Sequence, residues 1–534
     1  MYEQCGYDGN AGKQGFYPVM KRANPLSKHL FGILFALILL AQISFVIYKA
    51  DYTGITYDES YTSLNFGKDI HTALTCYENP NNNHVLNSIF ICLAYKSFRW
   101  YEHYPRIHSV MFAVLFSCST AYIVHKTIRH ATVKLALLGL VLFNWFVFDL
   151  SFLARGYSIA LGAVYAGIAV LLGLLKRKIS YNCRWLPVTV IVLVNFLAFG
   201  SMISSLFILL GINAVFILLY SHCLFKDPPN RRNPLVLNLS FIPLLSGASL
   251  FLLYKNIYKD IFAARDSFGT MSFYSHIKQL LVDSMLKQDN HIVFIAYCLF
   301  VFAVTLAFFF AMCRSCKKIK NDGWRNWPCS DASGNFVLLT TAAAILAMFI
   351  HRVVLGMSLG YMRNGVFLVP LLLISSGILV DRLCYNLKSG SLAKSALRNS
   401  FLAISTILIL LNLPSAYSVL TRNWKLQSVS GPLLRWLSNA NPDKTWKIDL
   451  STESQELYGP LKYYSTLSGY KFEIVSGPAC DVAIRRKKEK HPEGTYLNQN
   501  YFINFDCYVI LNPERLNDIN QQLHPFTSSV DEKR

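Results

Sequence analysis

The sequence predicts a polytopic α-helical membrane protein of about eleven transmembrane helices, followed by a small C-terminal α/β domain. Three observations predict it. Of 534 residues, 53% are hydrophobic and only 15% charged, where a soluble chain carries roughly a quarter charged residues; the mean hydropathy is +0.34. The apolar residues gather into runs near the ~20 residues that cross a hydrocarbon core. Beyond about residue 418 this pattern gives way to polar sequence with short β-like runs.

Taken in order, the apolar runs place spans near 30–49, 107–125, 133–148, 157–175, 186–202, 204–224, 235–254, 291–312, 336–355, 361–381 and 399–417. The stretch 186–224 is too long for one helix and is divided at "FGSMISS", where Gly and Ser favour a turn. Residues 1–29 form a polar N-terminus with no cleavable-signal pattern, so the first span is expected to act as an uncleaved signal-anchor.

Orientation follows from Lys and Arg. They gather in alternate connections: Lys21, Arg22 and Lys28; Lys126, Arg129 and Lys134; Lys176 to Lys178; Lys226, Arg231 and Arg232; Arg314 to Lys320; Arg382 to Arg398. The positive-inside rule puts these connections and the N-terminus in the cytoplasm. The first outer segment, 51–106, and the domain at 418–534 are then extracytoplasmic. Within that segment "HVLNSIFICLAYKSFRW", 84–100, is short and carries Lys96 and Arg99. It reads as an amphipathic helix along the outer surface, because a crossing there would reverse every later loop.

The formal net charge is +21. The basic residues gather in short loops between apolar runs, and without a phosphate-binding Gly-rich loop or a basic-aromatic platform this argues against nucleic acid. The thirteen cysteines are scattered. Cys313 and Cys316 form a lone CxxC without the second pair of a zinc site. In the C-terminal domain the runs "TWKIDL", "KFEIV", "CDVAI" and "CYVIL" read as strands. Cys480 and Cys507 lie in two of them and are candidates for a disulfide in an oxidising compartment. "RRKKEK", 485–490, reads as a solvated loop that anionic headgroups could use. The sequon at Asn238 falls inside an expected span, which favours a bacterial inner membrane.

Charged residues concentrate at the outer ends of the apolar runs. Asp58 and Glu59 stand in "YDES", flanked by Tyr57 and Tyr61. His84 stands in "NNNHVLNS", Arg106 in "YPRIHS", Asp149 and Arg155 in "DLSFLARGYS", and Arg363 in "GYMRNGVFLVP". A charge in hydrocarbon costs roughly 2.5–3.5 kcal/mol on insertion scales, so each asks for a partner or a purpose. A carboxylate there could take a proton from an attacking hydroxyl. Cations on the same face could stabilise a phosphate leaving group. Plainer readings stand beside this one: a solvated loop for the acid pair, snorkelling for Arg106, a salt bridge between Asp149 and Arg155, and interfacial placement of the tyrosines.

The ordered set "YDESYTS", "NPNNNHVLNSIFICLAY", "YPRIHSVMFAVL", "FLARGYSIALGAV" and "YMRNGVFLVPLLLI" resembles the GT-C integral-membrane glycosyltransferases. Closest in pattern is the superfamily of protein O-mannosyltransferases and lipid A aminoarabinose transferases. The resemblance covers residues 30–180 and, less fully, 361–380. It departs at Val85, where the family usually has Pro, and in lacking an Arg shortly after the acid pair. It implies sugar transfer from a polyprenyl-phosphate donor to a glycan, lipid or protein acceptor, with Asp58 as catalytic base and Glu59 in support. It also implies His84, Arg106, Arg155 and Arg363 on the lipid-phosphate side and Tyr57, Tyr61 and Asp149 near the sugar. Metal-independent catalysis without a cofactor is implied, although an Asp-Glu pair could hold a divalent cation. A flippase for lipid-linked glycans and a glycan polymerase or ligase are the competing functions. A transporter would show internal repeats and midplane breaks, and neither is evident here. The outer loop at 254–290 is amphipathic and could cap a site.

Overall fold

The computed structural model describes residues 25–75, 84–176, 185–226, 332–355, 365–387, 391–417, 426–476, 479–486, 495–496 and 507–511, with a few isolated positions between 242 and 251. The expected span at 291–312, nearly all of that at 235–254, the loop at 254–290, Asn238, the CxxC and Arg363 lie outside the described residues.

The membrane part begins with α1 (Pro25–Tyr52), 28 residues without an internal proline. After the turn at 53–56 come two short helices, α2 (Tyr57–Asn65) and α3 (Ile70–Thr75). Next is α4 (Val85–Phe98), the helix expected along the membrane surface. It buries Val85, Leu86, Asn87, Ser88, Ile91, Cys92 and Ala94 and exposes Leu93, Tyr95 and Phe98. A 3-10 turn over Tyr104–Arg106, with Pro105 supplying its fixed φ, leads into α5 (Ile107–Thr127).

The span expected at 133–148 is two helices, α6 (Ala131–Leu142) and α7 (Trp145–Ser151), bent by 54°. Asn144 causes the break. Its side chain accepts from the Val147 N–H at 3.1 Å, so it caps a new helix instead of continuing the old one. Then come α8 (Tyr157–Lys176), α9 (Trp185–Ser201) and α10 (Leu206–Lys226), with a 3-10 turn at Ile203–Ser205 where the sequence placed a division. The later helices are α11 (Ala332–Leu355), α12 (Leu368–Asn386) and α13 (Leu392–Tyr417).

Among the described residues, six helices are long and apolar enough to cross a membrane, or seven counting α6 and α7 as one bent span. They enclose one large apolar core running from Val46 of α1 to Leu408 of α13.

The C-terminal unit carries α14 (Ser430–Ala440), β1 (Trp446–Leu450), α15 (Tyr458–Ser468), β2 (Phe472–Ile474), β3 (Val482–Arg486), β4 (Thr495–Tyr496) and β5 (Cys507–Leu511). The sheet order is β2-β1-β3-β5-β4, with β1 parallel to both neighbours and β5 antiparallel to β3 and β4. This register corrects two expectations. Cys507 lies opposite Arg486, six residues along from Cys480, or about 20 Å at strand rise. A bond between these two sulfurs is excluded. Of the basic run, Arg485 and Arg486 are strand residues paired with Asp449 and Glu456 rather than part of a solvated loop; residues 487–490 lie outside the described set.

A second apolar core joins the two parts. Ile55, Ile91, Ala94, Tyr104 and Ala154 of the membrane part pack with Leu433, Leu457, Leu461, Tyr463 and Tyr464 of the C-terminal unit.

Candidate active site

The acid pair sits in the first turn of α2, and the turn is built by a capping box. The Thr56 hydroxyl accepts from the Glu59 N–H at 3.3 Å, while Glu59 Oε2 accepts from the Thr56 N–H at 2.9 Å. One geometric consequence separates the two acids. Glu59, three residues past the cap, is turned back into the protein and fully buried. Asp58, one residue earlier, keeps its side chain partly exposed.

Glu59 is the hub of a closed network. Arg106 Nε donates to its Oε1 at 2.8 Å and Nη2 to its Oε2 at 2.6 Å. The Ala154 N–H also donates to Oε1 at 2.8 Å. The remaining N–H groups of Arg106 reach the carbonyls of Ala50, Thr53 and Gly54 at 3.1, 2.5 and 2.9 Å, so all five guanidinium donors are used. Burial pushes the Glu59 carboxyl up. The Arg106 charge and the hydrogen bonds from Arg106, Ala154 and Thr56 outweigh it, and the group lies below the ordinary carboxylate range. Arg106, expected on the lipid-phosphate side, is therefore a buried strut tying α1, α2 and the start of α5. It also lies 5.4 Å over the Phe152 ring.

Arg155 stands in the loop between α7 and α8. Its Nη2 lies 3.4 Å from Asp58 Oδ2. Among the described residues, its Nε and Nη1 are buried without a hydrogen-bond partner, as is Nε2 of His84. His84 is the N-cap of α4 but makes no side-chain cap. Burial first, and then the Arg155 charge, hold its imidazole well below the ordinary value, so it is neutral near pH 7. Asp58, Arg155 and His84 thus come together at one place.

The Arg155 loop is clamped from three sides. Asn87 donates to the Ala154 carbonyl at 2.9 Å and accepts from the Gly156 N–H at 3.0 Å. Its oxygen also meets His108 Nε2 at 2.9 Å. Ser109 donates to the Leu153 carbonyl at 3.0 Å. Gly156 has φ +79°, and a Cβ there would lie 2.3 Å from the Ser201 carbonyl oxygen. Only glycine fits both the backbone and the contact. Sequence reasoning missed Asn87, His108 and Ser109, although all three fall inside quoted motifs.

Asp149, expected near the sugar, lies buried elsewhere. It pairs with Lys49 of α1, not with Arg155, and both groups are buried. Lys49 also lies 5.4 and 5.5 Å over the Phe148 and Phe152 rings. The only sequence signal was a lone lysine at the end of the first apolar run. Tyr57 and Tyr61 are half-buried on α2 with ring centroids 6.2 Å apart. Among the described residues, no three His, Cys, Asp or Glu side chains converge as metal ligands.

The C-terminal unit closes on this helix. Tyr57 N–H donates to Gln427 Oε1 at 2.6 Å, and Ile55 N–H donates to Tyr464 Oη at 2.8 Å. Tyr463 donates to the Glu102 carbonyl at 2.7 Å.

No protein-family model matches the chain, and no curated protein sequence does. Among solved structures, the chain is similar to ArnT from Cupriavidus metallidurans bound to undecaprenyl phosphate. The TM-score is 0.44 at 9% identity, covering 92% of this chain and 99% of that one. It is also similar to the archaeal oligosaccharyltransferase AglB from Archaeoglobus fulgidus in complex with an inhibitory peptide and a dolichol-phosphate. There the TM-score is 0.39 at 11% identity, covering 87% of this chain and 70% of that one.

Proposed function

We propose that this chain is an integral-membrane glycosyltransferase of the GT-C type. In this reading it moves a sugar from a polyprenyl-phosphate donor to a hydroxyl of a glycan, lipid or protein at the outer face of the membrane. The observation that carries the reading is the juxtaposition of a partly exposed carboxylate, Asp58, with the guanidinium of Arg155, whose Nε and Nη1 are buried without a partner among the described residues. A buried N–H without an acceptor costs about 1–3 kcal/mol. A phosphate oxygen at that place would relieve the cost and form charge-assisted hydrogen bonds.

In the proposed step Asp58 takes the proton of the acceptor hydroxyl as its oxygen bonds to the anomeric carbon. The bond from that carbon to the phosphate oxygen breaks, and its electron pair leaves with the polyprenyl phosphate. Arg155 Nε and Nη1 and His84 Nε2 would meet the charge that develops there, and Arg363 joins them on motif alone. Tyr57 and Tyr61 offer ring faces to the sugar. Glu59 and Arg106 hold the base and the Arg155 loop in register. The chemistry needs no cofactor here, because side chains supply both the base and the positive charge. The proposed setting is a bacterial inner membrane, with the N-terminus cytoplasmic and the C-terminal unit outside.

Replacing Asp58 with Asn in the detergent-solubilised full chain tests this, with a panel of polyprenyl-phosphate sugars as donors. Transfer should fall by roughly 10²–10⁴-fold while donor binding persists. Full activity of the variant would overturn the assignment of the base. A wild-type protein that binds lipid-linked sugars yet transfers them to no acceptor would make the chain a transporter.

A further inference from the structure

We infer that the C-terminal unit is part of the catalytic apparatus, with Gln427 and Tyr464 as positioning residues that set where the α2 N-terminus, and with it Asp58, stands. The inference rests on Asp58 being the base proposed above.

The first turn of a helix leaves four backbone N–H groups without intrahelical partners. In α2 the capping box satisfies the Glu59 N–H and ties down the Thr56 N–H. The N–H of Tyr57, the residue directly before Asp58, is instead satisfied across the interface by Gln427 Oε1 at 2.6 Å. The N–H of Ile55, two residues further back, finds Tyr464 Oη at 2.8 Å. Both contacts join segments more than 350 residues apart in sequence, with separations of 370 and 409.

The Gln427 amide cannot reverse without penalty. Its Nε2 donates to Glu456 Oε2 at 2.8 Å, and Glu456 is paired in turn with Arg486 of β3. A flipped amide would set its NH2 against the Tyr57 N–H and its oxygen against a carboxylate. Sheet, glutamate, amide and helix therefore form one directed chain ending beside the base.

The backbones also meet closely. A Cβ on Gly459, at the start of α15, would lie 2.7 Å from Ser60 Oγ and 3.0 Å from the Tyr57 ring. Ser60 is itself held by its hydroxyl on the Tyr57 carbonyl at 2.7 Å, so α2 would have to give. Tyr464 is wholly buried in the core shared by the two parts. Such contacts exceed what a tethered accessory domain needs, and they fall on the turn that aims Asp58.

The test uses Gln427→Leu and Tyr464→Phe in the full-length protein, two near-isosteric changes that remove only polar groups. A misplaced catalytic group costs about a hundredfold per ångström. Each variant should therefore lose about tenfold or more in kcat, hold its donor KM within about threefold, and shift the acid limb of its kcat–pH profile. Gly459→Ala should do the same, through displacement of α2. Unchanged kcat and pH profile in Gln427→Leu and Tyr464→Phe would overturn the inference. So would a loss that disappears once rates are referred to folded protein. Asp58→Asn run in parallel separates the two readings. If it is fully active, the assignment of the base fails; if it is inactive while the interface variants are unaffected, only the positioning role fails.

Discussion

Arg106 spends all five of its N–H groups on Glu59 and three carbonyls, whereas Arg155 keeps Nε and Nη1 buried and unmatched among the described residues. Polar groups out of water are expensive unless paired, so the first arrangement is a finished structural unit and the second suits the phosphate-binding role proposed for it. The two arginines should therefore fail differently. Glu59→Gln leaves the Arg106 charge buried without its counter-ion. Stability should drop by about 3–5 kcal/mol, read as a lower melting temperature in detergent. Arg155→Gln should fold with wild-type stability but bind polyprenyl phosphate roughly ten- to a hundredfold more weakly, the loss expected for one charge-assisted contact. The Glu59 contribution also has a pH sign. Because its folded carboxyl lies below the ordinary value, the stabilisation is complete above the unfolded carboxylate pKa of about 4.3. It is lost as pH falls through the folded value. The stability gap between wild type and Glu59→Gln should therefore be constant between about pH 5 and 8, and the wild type should converge on the variant only at stronger acidity.

At the scale of elements, the site is made where helices stop. Asn144 breaks α6 from α7 and turns Asp149 towards Lys49. Gly156 ends the following loop against the Ser201 carbonyl, where α9 itself ends. Between them lies Arg155, held by contacts from α2, α4 and α5 on its neighbours. Gly156→Ala should cost about 1–3 kcal/mol from backbone strain alone, beyond the clash with Ser201. It should also weaken binding of polyprenyl phosphate, by up to the roughly ten- to a hundredfold expected for losing the Arg155 contact, because Arg155 is the adjacent residue. Wild-type binding in the folded variant would show that the loop tolerates displacement. Much of this was legible: "FLARGYS" marked the loop, and Gly156 punctuates it. Its clamps were not, since an asparagine and a serine on other helices carry no local sign of their target.

At the scale of the molecule, charge and site are separated along the bundle. Lys134 lies 5.8 Å over Phe31 and His125 beside Phe35, near the start of α1, and Arg129 lies 4.4 Å over Tyr385 at the end of α12. Asp381 of α12 accepts from the N–H groups of Arg129 and His130 at 3.1 and 2.9 Å, capping the start of α6. The acid-bearing turn, Arg155 and the C-terminal unit gather at the other end of α1. In the proposed orientation, which takes the basic end as cytoplasmic by the positive-inside rule, two exposed positions should label from opposite sides. In a background without reactive thiols, Thr466→Cys should react with an impermeant maleimide in right-side-out vesicles. Ala393→Cys should react only after permeabilisation. Labelling of both from one side would overturn the orientation.

The sequence by itself determined the membrane class, the apolar runs that became helices, the four main strands of the C-terminal unit and the motifs holding Asp58, His84 and Arg155. These are local properties: hydropathy over about twenty residues, alternation over five or six, and a short polar motif at a span's end. Only the tertiary structure decided which charges meet. Glu59 and Arg106 are 47 residues apart, Lys49 and Asp149 are 100 apart, and Tyr57 and Gln427 are 370 apart. Each pairing depends on helix breaks and on the docking of a distant unit. Charges buried in a low-dielectric interior must find partners, but which partner stands within reach is settled by topology, and topology is a property of the whole packed chain.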